Sequence, residues 1–137
     1  MPIDLADYSP SIKRFLNERG LACVYVLAHQ GGAPSKIGHA LDIAARVAAI
    51  QSANPAEIET HHLLWTPGKS VAVVIEETVQ RELSARHLRG EWFDIPARDA
   101  AQAVTDAAKR LYPNAVLVPH EMIIDQLRGA KTARVTT

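Results

Sequence analysis

Three side chains in this sequence combine into one chemistry: Tyr25, in the run Val24-Tyr25-Val26, then Arg46, then Glu76. At ~100° per helical residue, Ala72, Ile75, Val79 and Leu83 define an apolar face, with Glu76 about 55° from its centre and Glu77 about 155° away. Glu76 is therefore the acid expected at the margin of the core, and Glu77 the solvated one. The same arithmetic puts Arg46 roughly 65° from the centre of the face made by Ile43, Val47 and Ile50. Both side chains are expected to look into one cleft beside the tyrosine strand. An arginine and a glutamate flanking such a strand suit phosphodiester hydrolysis. The scissile phosphate is anionic and its transition state gathers more charge, which a guanidinium fork and a divalent cation stabilise best. A hard cation such as Mg²⁺ takes oxygen ligands, commonly one or two carboxylates plus waters and substrate oxygens, so one glutamate can be the protein's share.

Elements must hold these groups in place. Ser9-Pro10 reads as a helix start and Gly20 as its stop, around Ile12, Phe15 and Leu16. The continuous apolar run 21–28 reads as a buried strand, 29–34 as turn chemistry, and 35–38 as the returning strand of a hairpin. A helix is expected over 41–51, broken at Asn54-Pro55, then a strand over 58–65. The turn Pro67-Gly68 precedes a helix expected over 70–87, a short strand at 93–95 and an Ala-rich helix over 97–111. Residues 116–118 and 121–127 read as a further strand and helix, and 131–137 as a frayed tail.

The expected fold is thus of α+β or α/β class: a small central, mostly antiparallel sheet led by the hairpin and flanked by helices. We divide the chain into an N-terminal helical extension (1–20), the main domain (21–112) and a C-terminal strand and helix extension with a basic tail (113–137).

Composition narrows the setting. With 137 residues, 47% of them apolar, the chain can bury one sizeable core but hardly two. Its single cysteine, Cys23, excludes an internal disulfide framework and fits a reducing cytoplasm. No secretory signal or membrane-spanning run is readable, so no membrane partner is expected. The formal net charge of zero counts against tight nonspecific DNA binding. Charge is unevenly spread, however: Arg128, Lys131 and Arg134 follow the last acid, and Arg81, Arg86 and Arg89 cluster before Gly90. A solvated helix face accounts for the second cluster equally well.

The segments Val24-Tyr25-Val26, Lys36-Ile37-Gly38 and Gly90-Glu91-Trp92-Phe93, with Arg46, Gln51 to Pro55 and Glu76 between them, resemble the GIY-YIG endonuclease superfamily in its phage and bacterial branch. The likeness runs from Tyr25 to Phe93, about half the chain, and rests on the ordered set rather than on any single motif. Lys36 stands where lysine replaces the tyrosine of the second motif. The resemblance implies that Tyr25 is the general base on the attacking water, that Arg46 binds the phosphate, and that Glu76 holds one Mg²⁺ or Mn²⁺ near the leaving oxygen. An ordinary phenol, with pKa near ~10, is a poor base at neutral pH, and Lys36 on the adjoining strand is the cation expected to favour its ionised form. His39, like the histidine three residues after that lysine in some members, is expected to hydrogen-bond the phosphate or the tyrosine. The chain departs from the pattern at Cys23, where the first motif usually has glycine, and at Gln80, where many members of the branch carry histidine. It also lacks an evident equivalent of a late asparagine.

Each residue also has a structural explanation. Tyr25 can be a core aromatic with its hydroxyl satisfied, Arg46 and Glu76 a structural ion pair, and Trp92-Phe93 a packing plug. His61 and His62, adjacent on a strand, are expected on opposite faces and so not in a joint metal site. Two function classes follow: a metal-dependent DNA endonuclease, with a homodimer or targeting partner supplying what its charge does not, and a noncatalytic nucleic-acid or protein interaction module of the same fold.

Overall fold

The apolar run after Gly20 becomes the second strand in from one edge of a six-stranded sheet and its most enclosed element. The computed structural model describes residues 2–5 and 9–126. In chain order these give α1 (Pro10–Glu18), β1 (Ala22–His29), β2 (Ser35–Ala40), α2 (Ile43–Ser52), β3 (Ile58–Thr66), α3 (Lys69–Glu82), β4 (His87–Arg89), β5 (Trp92–Phe93), α4 (Ala97–Leu111) and β6 (Val118–Pro119). A helical segment over 120–126 follows. The sheet order is β4-β5-β2-β1-β3-β6, with every pairing antiparallel, as expected for the α+β class.

β1 is buried on both faces, which is why its sequence is a continuous apolar run instead of an alternation. Val24, Val26 and Ala28 face Ile37, Phe93 and the buried stripes of α3 and α4. Cys23, Tyr25 and Leu27 face the opposite way, onto Leu16, Ile43, Leu63 and Trp65, below α1 and α2. The two helices on this second face begin at side-chain caps: Ser9 accepts from the Ile12 N–H, and Asp42 from the Ala45 N–H. Asp42 also pairs with Lys13 at 2.7 Å, tying α1 to the start of α2.

Several expectations change, and the strand expected at 93–95 lies at Trp92–Phe93. The helix expected over 70–87 ends at Glu82, and a 3₁₀ turn at Ser84–Arg86 leads into β4. The reason lies at Gly90, whose φ of 56° closes a tight turn between β4 and β5 and draws the residues before it into the sheet. The alternation of His61 and His62 also fails. Val26 pairs with His62 but Leu27 with Thr60, leaving His61 as an extra residue. This bulge re-aims the side chain, and both histidines line one cleft with Arg98.

The last strand lies at Val118–Pro119, slightly later than expected. Arg128, Lys131, Arg134 and the tail 131–137 fall outside the described residues. Among the described residues, no helix is long and apolar enough to cross a membrane.

Candidate active site

β2 pairs with β1 along its whole length, but with β5 only at Ser35 and Lys36. The Ile37 N–H adds one bond, to the Glu91 carbonyl at 3.1 Å. Beyond Ile37, no described strand covers the outer edge of β2, and side chains from both faces of the sheet meet there.

From the α1/α2 face comes Tyr25, opposite Gly38 in the ladder. A Cβ at position 38 would lie 2.3 Å from the Tyr25 Oη, 2.4 Å from its Cζ and 2.7 Å from Glu91 Oε2. No side chain fits between them, so glycine is what lets the phenol lie across β2 and reach its edge. There Tyr25 Oη donates to Glu91 Oε2 at 3.2 Å, and Lys36 Nζ lies 3.3 Å from the same oxygen. Lys36 is held over the Trp92 ring, 5.6 Å from its centroid.

From the α3 face comes Glu76. Ala72, Ile75 and Val79 anchor one side of α3 in the core, and this leaves Glu76 7% exposed while Glu77 is open to solvent. Its Oε2 is hydrogen-bonded to His39 Nδ1, and its Oε1 accepts from Gln80 Nε2 at 3.1 Å. Gln80 also donates to the Ile37 carbonyl at 2.9 Å, locking α3 to β2. Arg46 is exposed on α2 and, with His39, lines a cleft of about 370 Å³. Among the described residues no ion pair joins it to Glu76, so the structural pairing weighed above is absent from this arrangement.

The electrostatics are those of a crowded acidic centre. Burial and the charge of Glu91 push the Tyr25 phenol well above its ordinary range, with Arg46 pulling it down. Burial also raises the Glu76 carboxyl; the hydrogen bond from His39 opposes this, and the neighbouring Glu91 adds to it. Two carboxylates side by side, one of them nearly buried, are oxygen donors suited to a hard divalent cation, whose charge would relieve their repulsion. Among the described residues no three His, Cys, Asp or Glu side chains form a metal-holding cluster, so water and substrate would have to complete any such shell. On the same face as Tyr25, burial pushes the Cys23 thiol up to about 12, leaving it inert.

The structure therefore brings Tyr25, Lys36, His39 and Glu76 to one edge, with Arg46 on the adjoining cleft wall. The residue overlooked in the sequence is Glu91, which joins the two halves of this centre. Its signal was present, since it is the one charged side chain in Gly90-Glu91-Trp92-Phe93. Gln80, a departure from the family pattern, makes the supporting contact to Glu76 itself.

The model of the T5orf172 domain matches residues 22–108, which run from β1 nearly to the end of α4. The chain belongs to the T5orf172 domain family. That domain is phage-associated and related to the GIY-YIG and HNH-like endonuclease set, a relation that suggests a nuclease-like or nucleic-acid-binding role and implies DNA as the partner of such a domain. No curated protein and no solved structure matches the chain.

Proposed function

We propose that the protein is a GIY-YIG-type DNA endonuclease that hydrolyses phosphodiester bonds with the help of one divalent cation, in a reducing cytoplasm. The observation that carries this reading is the meeting of Tyr25, Lys36 and Glu91 with Glu76 and His39 around the glycine at position 38. A packing scaffold has no need of five ionisable groups at one strand edge.

In this reading Glu76 would hold Mg²⁺ or Mn²⁺, which would supply positive charge to the scissile phosphate. Arg46 binds a non-bridging phosphate oxygen and offsets the charge gathered in the transition state. Tyr25 Oη, once its own proton has passed to solvent, takes the proton of the attacking water. In the resting arrangement Glu91 covers that oxygen and opposes its ionisation, so the carboxylate must turn aside before water can approach. Lys36, the cation beside Glu91, reduces the negative potential felt by the phenol. His39 fixes Glu76 and, once that carboxylate is engaged, is free to hydrogen-bond the phosphate.

Nicking of supercoiled plasmid in Mg²⁺ or Mn²⁺ tests the proposal, with Tyr25→Phe as the comparison. Loss of a general base commonly costs ~10²–10⁴-fold, so the variant should be inactive on the assay's scale. A fully active Tyr25→Phe would retain the nuclease and remove its mechanism. The noncatalytic module is favoured by one observation, the complete burial of Tyr25 with its hydroxyl already satisfied. A wild-type protein that binds DNA but never nicks it would select that reading.

A further inference from the structure

Two clefts approach Glu76 from opposite ends of α3. One, of about 370 Å³, is lined by His39, Arg46 and Lys69; the other, of about 430 Å³, by Gln80, Arg81 and His87. Glu76 lines neither cleft but is hydrogen-bonded to a lining residue of each, His39 through one oxygen and Gln80 through the other. The nearly buried carboxylate thus stands between the two clefts, tied to a wall of each.

Lys69 and Arg81 are exposed, and among the described residues neither side chain has an ion-pair or hydrogen-bond partner; the same holds for Arg46. Of the acids facing these clefts, Asp42 is already paired with Lys13 at 2.7 Å, while Glu77 stands on the same wall as Arg81. Lys69 and Arg81 are separated by about 18 Å along the helix at 1.5 Å per residue and by about 120° around it at ~100° per residue. The DNA backbone rises ~3.4 Å per phosphate along the duplex axis but winds around it, so its phosphates lie farther apart than that and the span covers only a few phosphate steps.

Resting on the nuclease reading above, we propose that the two clefts form one track for the backbone of duplex DNA, with Lys69 holding a phosphate on one side of the scissile bond and Arg81 holding one on the other. Single cations at the two ends of an elongated polar groove match a polyanion with regularly spaced charges. They also account for DNA binding by a chain of zero net charge, since a few placed contacts replace a basic face.

Fluorescence anisotropy with a short fluorescein-labelled DNA duplex, in EDTA and across a salt titration, tests this. Each phosphate contact contributes about 0.9 to the slope of log K against log salt concentration. Lys69→Ala and Arg81→Ala should each make the slope shallower by about 0.9, and the double variant by about twice that, as expected for independent contacts. Arg98→Ala, in the cleft with His61 and His62, should leave it unchanged. All three positions are exposed, so the folded state should survive, which circular dichroism checks. A slope that responds to Arg46→Ala but to neither Lys69→Ala nor Arg81→Ala overturns the track and leaves the nuclease reading standing. A response at only one end overturns the two-sided footprint. A wild-type protein that binds no duplex overturns both.

Discussion

Tyr25 and Gly38 face each other across the β1–β2 ladder so closely that a methyl group at position 38 would lie 2.3 Å from the phenol oxygen. The glycine of the Lys36-Ile37-Gly38 motif is thereby explained by space, since the sequence needs a residue without Cβ where an aromatic ring crosses the neighbouring strand. Gly38→Ala is expected to displace the phenol from Glu91 and to cost ~1–3 kcal/mol, the usual range for overpacking. Denaturant unfolding and plasmid nicking measured together check this. An alanine variant with unchanged stability and full activity would mean that the ring does not need that space.

Glu76 and Glu77 are adjacent acids with opposite surroundings. Glu76→Ala is expected to abolish binding of Mn²⁺ in calorimetry, whereas Glu77→Ala should leave it intact. Stability should fall little in the first variant, because burial already disfavours the charged carboxylate. Equal effects on metal binding would discard Glu76 as the ligand.

Glu91 raises the Tyr25 pKa, and Lys36, paired with Glu91, is proposed to act on the same phenol with the opposite sign. Lys36→Met leaves Glu91 unopposed, so cleavage should fall at neutral pH and recover as pH rises. Glu91→Gln removes the charge that raises the Tyr25 pKa, so its activity profile should move toward lower pH. Profiles of single-turnover rate against pH separate the two. Displacement of both variants in the same direction would show that neither acts through Tyr25.

His62 offers a test away from this centre. Burial lowers its pKa from 6.5, with Glu121 partly opposing, and among the described residues its Nε2 has no hydrogen-bond partner. A folded-state pKa below the unfolded one means that the associated stability is complete above pH 6.5 and is lost as pH falls through the lower folded value. Thermal unfolding between neutral and mildly acid pH should therefore show a larger drop in Tm for wild type than for His62→Gln. Parallel drops would show that His62 carries none of the acid sensitivity.

Much of the architecture was legible because local pattern and tertiary environment agree. The apolar run of β1, the caps at Ser9 and Asp42, and the 72, 75, 79 stripe of α3 all point the same way. The helical angle that separated Glu76 from Glu77 depends only on backbone geometry, and the burial of the two side chains follows it. The end of α3 was harder to read, because Leu83 to His87 has no local helix breaker and is drawn off by pairing across Gly90. The His61 bulge was illegible for a similar reason, since it is a mismatch between two strands and exists only once they pair. Glu91 was missed because its role comes from the edge of β2, where the chain after α3 returns to strands placed fifty residues earlier.

That uncovered edge has a second consequence. Among the described residues no strand pairs with that edge past Ile37, and an uncovered edge is a template on which another molecule's strand could lie, whereas charged side chains at a sheet margin discourage such association. Glu91 and His39, with the nearly buried Glu76 behind them, are expected to oppose such association in the same place where they would serve hydrolysis. Replacing both glutamates with neutral residues is expected to promote edge-to-edge aggregation, and light scattering on such a variant would separate loss of monodispersity from loss of catalysis.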